Sequence, residues 1–369
     1  MYDVVIIGGG PAGATLARLL GTELSVLVLE RRDLGQPFAG GQEKCCGGLL
    51  APDAQSMLAR FGLGLPCSVL VGPQLFTVRT LDLATGIERY YPRNYINVDR
   101  ERFDRWLVRL IPPQVELRWQ VLFHRLEKTD QGYRVIFAQG GKVETVEACL
   151  VVGADGAMSR VRESLGLGVA MPPMYIAVQE WFQADLPLPY YSAIFDPQVT
   201  DFYAWTIPKD NAVLVGAAIP AGTDILGRFE LLKQKLDQRG YNLTSSIKRR
   251  GCHLLRASSP HQICLGRGGV ILIGEAAGWI SPSSAEGLSY AFRSALALAQ
   301  AMTVAKPNPL PQYRRLCRGL YVNILGKIGK SPGMYWPILR RLAMTSGLFS
   351  LEVMSNAENF RDVHGGIKR

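Results

Sequence analysis

The residues of this chain that could do chemistry gather at the ends of three short apolar runs. Val4-Val5-Ile6-Ile7 leads directly into Gly8-Gly9-Gly10-Pro11-Ala12-Gly13 and then into a helical stretch, Ala14 to Leu20. Gly8, Gly10 and Gly13 fit the dinucleotide fingerprint. Gly8 makes the tight turn, Gly10 lets the backbone approach a pyrophosphate, and Gly13 allows the helix to pack closely on the strand. The helix N-terminus then offers free N–H groups and about half a positive charge to an anion. A second run, Val26 to Leu29, ends in Glu30, whose carboxylate is placed to accept hydrogen bonds from ribose hydroxyls.

Two further turns repeat the arrangement. Leu150-Val151-Val152-Gly153-Ala154-Asp155-Gly156 is followed by Ser159 and Arg162. Val270-Ile271-Leu272-Ile273-Gly274-Glu275-Ala276-Ala277-Gly278 is followed by Ser281 to Gly287 and a helix. A chain that returns twice to one sheet, ending its turns near the same ligand, suits a long cofactor. A second strand–GxGxxG–helix is missing from the sequence, so a nicotinamide cofactor is expected to have no stable site of its own. His124, His253, His261 and His364 lie far apart without ligand spacing, and no metal site is expected.

Short β-branched runs of this type are strands buried on both faces of a sheet. Other strand-like runs are Leu75 to Val78, Tyr175 to Phe182, Phe202 to Ile207 and Ala212 to Ile219, and alternation puts Tyr203 and Trp205 on one sheet face. Residues 306–369 read as helical, broken at Pro332 and Pro337. The 369 residues amount to about two domains, or one large α/β domain with an insertion. With 48% hydrophobic and 20% charged residues the chain has a core to bury, which excludes disorder, collagen and coiled coil. No run approaches the roughly 20 apolar residues needed to span a bilayer. Met1-Tyr2-Asp3 lacks the basic start of a secretory signal, and seven scattered cysteines suit free thiols, so the cytoplasm is the expected compartment.

The net charge of +10 is unevenly placed. Between Glu286 and Glu352 there is no acid, only Arg293, Lys306, Arg314, Arg315, Arg318, Lys327, Lys330, Arg340 and Arg341, interleaved with apolar and aromatic residues. Such a segment suits either an anionic membrane surface or a solvated helix face packed on the main domain. No nucleic-acid-binding pattern accompanies it.

In its three turns the sequence resembles the two-dinucleotide-binding flavoproteins of the p-hydroxybenzoate hydroxylase type, over roughly residues 1 to 300. Glu275 stands where that family normally carries Asp. Val98-Asp99-Arg100 with Phe103, Asp104 and Leu107 looks like the family's helix whose Arg approaches the flavin, though Arg100 also suits an ion pair on that helix. Lys44-Cys45-Cys46-Gly47-Gly48-Leu49-Leu50 resembles the Lys-x-Cys-Gly-Gly stretch of geranylgeranyl reductases, and Tyr203-Ala204-Trp205-Thr206-Ile207-Pro208-Lys209 their Tyr-x-Trp-x-Phe-Pro-Lys segment. The run Cys46 to Gln55, with Ile273 to Gly278 and Phe195-Asp196, is closer still to the CbrA group of bacterial proteins, which is classed with those reductases and shares the Gly-Glu variant.

The resemblance implies an α/β fold: a Rossmann-type FAD-binding domain (1–65, 98–165 and 255–305), a smaller mixed or antiparallel β-sheet substrate domain (66–97 and 166–254) and a basic helical C-terminal region (306–369). It implies FAD contacts at Gly8, Gly10, Pro11, Ala12, Gly13, Glu30, Arg31, Lys44, Cys46, Gly47, Gly48, Arg100, Val121, Asp155, Gly156, Gly274, Glu275, Pro282, Gly287 and Leu288. The helix from 287 onward would aim its N–H groups at the pyrimidine edge of the flavin. Tyr191, Tyr203 and Trp205 would line the substrate pocket. Cys46 is the candidate catalytic group, as proton donor or as a small residue packed at the flavin face; Cys45 is expected to point away.

The implied reaction is hydride delivery from reduced FAD to an isoprenoid double bond, with electrons from NADPH, ferredoxin or a similar donor. The basic tail suits a polyprenyl phosphate and contact with the inner face of a membrane. Two rivals share the fold or the charge pattern. One is a flavin monooxygenase or halogenase, whose Trp-x-Trp-x-Ile-Pro motif lies one residue from Tyr203-Ala204-Trp205-Thr206-Ile207-Pro208. The other is a flavin-bearing membrane-surface protein without turnover.

Overall fold

The computed structural model of the chain describes residues 1–36, 44–183 and 189–353. His364 and the last part of the tail lie outside the described residues. Two sheets face each other across a cleft. The first runs, in order, Gly266–Arg267, Val270–Leu272, Lys142–Gly153, Tyr2–Ile7, Val26–Leu29 and Glu116–Arg118. From Val270–Leu272 to Glu116–Arg118 neighbouring strands are parallel, with Ile6 opposite both Val28 and Val152. Such strands are covered on both faces, and the central residues Val4 to Ile7, Val26 to Leu29 and Val270 to Leu272 are accordingly buried.

Lys142–Gly153 serves two partnerships. Its first half pairs antiparallel with Gly132–Gln139, which pairs in turn with Val121–Thr129, while its second half enters the parallel core. The helices Pro11–Leu20 and Leu288–Val304 pack against each other beside this sheet, with Arg100–Arg109 against the first.

The second sheet runs Ser246–Leu255, Met174–Gln183, Ala212–Pro220, Ala204–Lys209, Tyr191–Phe195, Leu75–Asp82, Glu88–Asn97 and Leu49–Leu50. It is antiparallel except where Tyr191–Phe195 lies parallel to Leu75–Asp82. The period of two divides its side chains. Ala204, Val215, Ala217 and Phe182 turn to the helix Ile225–Asp237. Tyr203, Trp205, Ile207 and Leu214 turn to the opposite face, as does Trp181. Gly216 stands opposite Trp205 in register, and a Cβ there would fall 2.4 Å from the indole.

The tail departs from expectation at one proline. The helix Arg318–Tyr335 continues through Pro332. Pro332 costs that helix one N–H, and the turn closes around it through Ser331 Oγ donating to the Lys327 carbonyl at 2.8 Å and Trp336 N to the Pro332 carbonyl at 3.0 Å. The break falls at Trp336, which is extended and precedes Pro337, the first residue of the helix Pro337–Ser346.

Candidate functional site

The first glycine turn owes its shape to sterics. Gly8 has φ +106°, and a Cβ on it would lie 2.5 Å from the Ala154 carbonyl oxygen. A Cβ on Gly13 would lie 1.9 Å from the Gly8 carbonyl oxygen, so the helix can approach the strand only with glycine there. These two residues build the turn from behind. Gly10, Pro11 and Ala12 line the cleft. The helix they open has no side-chain cap and no acid in its first turn, which leaves its leading N–H groups facing the cleft without an anion. A Cβ on Gly10 would meet only the tip of Arg32, at 4.0 Å. Open space, uncapped donors and a helix N-terminus together fit a pyrophosphate.

Glu30 is buried at the end of Val26–Leu29 and accepts from Gly9 N at 2.6 Å and Arg32 N at 2.8 Å. From it a chain of alternating charge crosses the site. Arg32 Nε lies 3.1 Å from Glu30, Arg32 Nη1 lies 3.1 Å from Asp104 Oδ2, and Arg100 Nε lies 2.7 Å from Asp104 Oδ1. Burial opposes both charges of the last pair, yet the ion pairing outweighs it, holding the Asp104 carboxyl below its ordinary range and the Arg100 guanidinium above its own. Arg100 also neighbours the Cys46 thiol. Of the two roles open to Arg100 in the sequence, the ion pair along its helix is formed; its side chain also lines the cleft.

The loop Lys44–Gly48 is held between the sheets. Gly48 N donates to Cys46 Sγ at 3.5 Å, and Cys46 and Gly47 line the cleft. Cys45, expected to point away, also lines the cleft; its thiol donates to the Ala177 carbonyl at 3.5 Å, and Cys252 Sγ donates to the Cys45 carbonyl at 3.3 Å. The hydrogen bond that the Cys45 thiol donates to the Cys252 sulfur, together with burial, pushes the Cys45 thiol up, keeping it protonated. Lys209 fastens the same loop. It donates to Asn97 Oδ1, to the Val98 carbonyl at 3.0 Å and to the Gly48 carbonyl at 3.4 Å, and burial lowers it to about 8.

The two later turns differ in detail from what their sequence suggests. Gly156 lines the cleft, but Asp155 faces into its own turn, accepting from Ser159 Oγ at 2.5 Å and Val161 N at 3.2 Å. Glu275 does face the cleft, with Lys44 Nζ at 3.8 Å and Leu255 N at 3.5 Å. Gly287 and Leu288 line it as well. The first turn of their helix already holds a carboxylate, because Glu286 accepts from Ser289 N at 2.7 Å and from its hydroxyl at 2.6 Å. The donors left there for a flavin are fewer than expected.

Four other expected residues do not line the cleft. Arg31 is exposed, while Val121 N donates to the Glu30 carbonyl at 3.0 Å. Pro282 accepts from Arg256 through its carbonyl, and Gly274 sits where a Cβ would press on Ala12 at 2.9 Å.

On the far side the cleft is lined by Tyr191, Tyr203 and Trp205, and a second space of about 510 Å³ adjoins it. Tyr95, Tyr191 and Tyr203 belong to both walls. Tyr203 donates to the Ser284 carbonyl at 2.8 Å, Tyr191 is hydrogen-bonded to Tyr203, and burial raises both phenols, which stay neutral. Phe195 and Tyr335 continue the aromatic lining; Arg93, Lys327 and Lys330 supply cations to it. The helices Arg318–Tyr335 and Pro337–Ser346 form one side of this space through Lys327, Gly333, Met334, Tyr335, Arg340 and Met344. Arg32, Lys209, Cys252, Arg93 and Tyr335 had no local motif to announce a place in the site, although Lys209 ends the Tyr203–Lys209 segment.

Comparison with known proteins places this geometry. Residues 1–43 and 78–223 match the FAD binding domain family. The chain is 41% identical over 348 residues to "Protein CbrA" of Escherichia coli O6:H1, covering 94% of each chain. Among solved structures it is similar to a geranylgeranyl bacteriochlorophyll reductase-like protein from Thermoplasma acidophilum, with TM-score 0.76, 18% identity and coverage of 94% and 95%. It is also similar to PqsL, a probable FAD-dependent monooxygenase from Pseudomonas aeruginosa, with TM-score 0.70, 18% identity and coverage of 94% and 99%.

Proposed function

We propose that this chain, which belongs to the FAD-binding oxidoreductase family and groups with the CbrA proteins, reduces carbon–carbon double bonds of an isoprenoid. The observation that carries this reading is the aromatic space of about 510 Å³ that adjoins the cleft, with Tyr95, Tyr191 and Tyr203 lining both. A long apolar chain lying in it would present its double bonds to the cleft. The likeness to the reductase-like protein of Thermoplasma acidophilum supports the same reading.

The chemistry that FAD supplies when bound and reduced is hydride donation at the flavin face. The protein's part is to bind, orient and keep dry. The turn Gly8–Gly13 would hold the pyrophosphate and Glu30 the ribose. Lys44, Arg100, Gly156, Glu275, Gly287 and Leu288 would surround the flavin half. Lys209 and Asn97 fix the loop that carries Cys46 at the cleft, and its thiol would deliver a proton to the second alkene carbon. Tyr191, Tyr203 and Trp205 exclude water and set the distance at which a chain can lie, because positioning dominates the reduction of an unactivated alkene. Electrons would come from NADPH, ferredoxin or a similar donor.

A second reading, oxygen insertion, is favoured by the likeness to PqsL and by the Tyr203–Pro208 segment. One experiment separates the two: incubate a polyprenyl phosphate with the chemically reduced flavoprotein, with and without oxygen, and weigh the product. A gain of two hydrogens per double bond without oxygen supports the reductase. A gain of one oxygen, in air only, overturns it in favour of the monooxygenase. No change in mass in either arm counts against both and favours a flavoprotein without turnover on such lipids.

A further inference from the structure

The helices Arg318–Tyr335 and Pro337–Ser346 are joined at Trp336 and pack against each other. Their inner side is anchored at two points. Tyr335 donates to the Ser283 carbonyl at 2.8 Å, and Arg340 Nε lies 2.7 Å from Asp82 Oδ2 with both side chains buried. The outer side is unusual for a solvated face. In the first helix Arg318, Val322 and Leu325 fall on one stripe, at spacings of four and three residues, and all are exposed. In the second only Arg340 and Met344 are buried. Trp336 is 62% exposed, Ile338 75%, Leu342 64% and, just beyond the helix, Phe349 81%. Large apolar groups grouped in one element and left open to solvent mark an interaction surface.

Charge identifies the partner. From Gly287 to Leu351 the chain carries nine Lys and Arg residues and no Asp or Glu. Lys327 is paired with Asp53 and Arg340 with Asp82. Among the described residues Arg315, Arg318, Lys330 and Arg341 have no ion-pair partner, and all four are exposed. Two copies of this face brought together would set cations against cations, so a second copy is disfavoured. No helix among the described residues is long and apolar enough to cross a membrane. Apolar side chains flanked by unpaired cations, on helices too short to span, have the composition of an element that lies in the headgroup layer of an anionic bilayer.

We propose that this helical hairpin docks the protein on an anionic lipid bilayer. Trp336, Ile338, Leu342 and Phe349 enter the acyl boundary, and Arg315, Arg318 and Arg341 meet the headgroups. The same helices wall the aromatic cavity, so docking sets that cavity beside the bilayer. The inference rests on the surface and not on the reaction; it holds whether the cavity takes an isoprenoid or another apolar molecule.

The test is flotation of the full-length protein with vesicles of phosphatidylcholine alone or with about one third phosphatidylglycerol. Binding to the anionic vesicles is expected to exceed binding to the neutral ones by roughly tenfold at low salt and to weaken as salt rises. The exposed double variants Ile338→Ser/Leu342→Ser and Arg315→Glu/Arg318→Glu should each lower anionic-vesicle binding roughly tenfold while melting as the unaltered protein does. Tryptophan emission should shift to the blue on binding, and Trp336→Phe should remove most of that shift. Absence of binding to anionic vesicles at low salt overturns the proposal, as does binding that both double variants retain in full. A dimer in sedimentation that the apolar double variant dissociates would assign the face to a second copy and also overturn it.

Discussion

The Lys209 ammonium donates to the Asn97 side-chain oxygen at 2.5 Å, between the second sheet and the loop that presents Cys46. Asn97 is fixed in turn, its amide donating to the Pro208 carbonyl at 2.8 Å and the Pro73 carbonyl at 3.1 Å. The pair is buried, and its titration gives it a measurable signature.

Burial lowers Lys209 to about 8, against 10.5 in the unfolded chain. Below pH 8 both states hold the proton and the folded state bears the cost of a buried ammonium. Between about 8 and 10.5 the unfolded chain keeps its proton while the folded chain releases it, so stability rises with pH across that window. The stability of the protein relative to Lys209→Met should therefore grow by about 3 kcal/mol between pH 7 and 10.5. Urea denaturation at several pH values measures it; a difference that stays flat would sink the assignment.

Gly10→Ala and Gly13→Ala should behave differently although both lie in one turn. A Cβ at Gly10 has space in the protein itself, so that variant should fold, melt normally and lose FAD affinity by roughly ten- to a hundredfold, the effect of pushing a pyrophosphate off its donors. At Gly13 the Cβ strikes the Gly8 carbonyl, and both stability and flavin content should fall. Flavin absorbance of the purified proteins and their melting curves distinguish the two cases.

Cys46→Ala should keep its FAD, since Gly48 N makes only a weak contact to the thiol and Arg100 beside it stays paired with Asp104. If Cys46 delivers the proton, substrate reduction slows by roughly 10²–10⁴-fold while reduction of the flavin by its donor is unaffected. Equal rates of substrate reduction in Cys46→Ala and the unaltered protein would make the residue a packing element.

Asp104→Asn removes a buried carboxylate that answers two arginines, Arg32 and Arg100. The loss should cost about 3–5 kcal/mol, because buried cations are left unpaired. The sign with pH follows from the lowered pKa of Asp104: its contribution is complete above the ordinary carboxyl range and fades as pH falls through the folded value. Acid unfolding of the unaltered protein should show that loss, and the variant should lack it.

What could be read from the sequence was local in character. The turn Gly8–Gly13, the strand before it and Glu30 lie within one stretch of chain, and their sterics are written in residue type. The aromatic face of Tyr203 and Trp205 follows from a period of two. The ties that finish the site are not local: Arg32 to Asp104 spans 72 residues, Lys209 to Asn97 spans 112, and Arg340 to Asp82 spans 258. No spacing rule announces such pairs, since a salt bridge needs only that two side chains end up near each other. Glu286 was hidden for a related reason. It precedes its helix as any acid could, and only the structure shows its carboxylate taking the Ser289 N–H that a flavin would otherwise meet. Pro332 misled because proline usually ends a helix, whereas here the helix runs on through it to Tyr335.

The long strand Lys142–Gly153 has a consequence for how the protein is made. Its parallel neighbours are Tyr2–Ile7, synthesised first, and Val270–Leu272, synthesised near the end. Every strand of the second sheet, by contrast, lies between Leu49 and Leu255. A growing polypeptide can thus complete its second sheet while one strand of its first sheet is still inside the ribosome, since domains tend to fold in the order they emerge. The first sheet cannot close until Val270–Leu272 leaves the exit tunnel, so the growing chain spends some time folded on one side and open on the other.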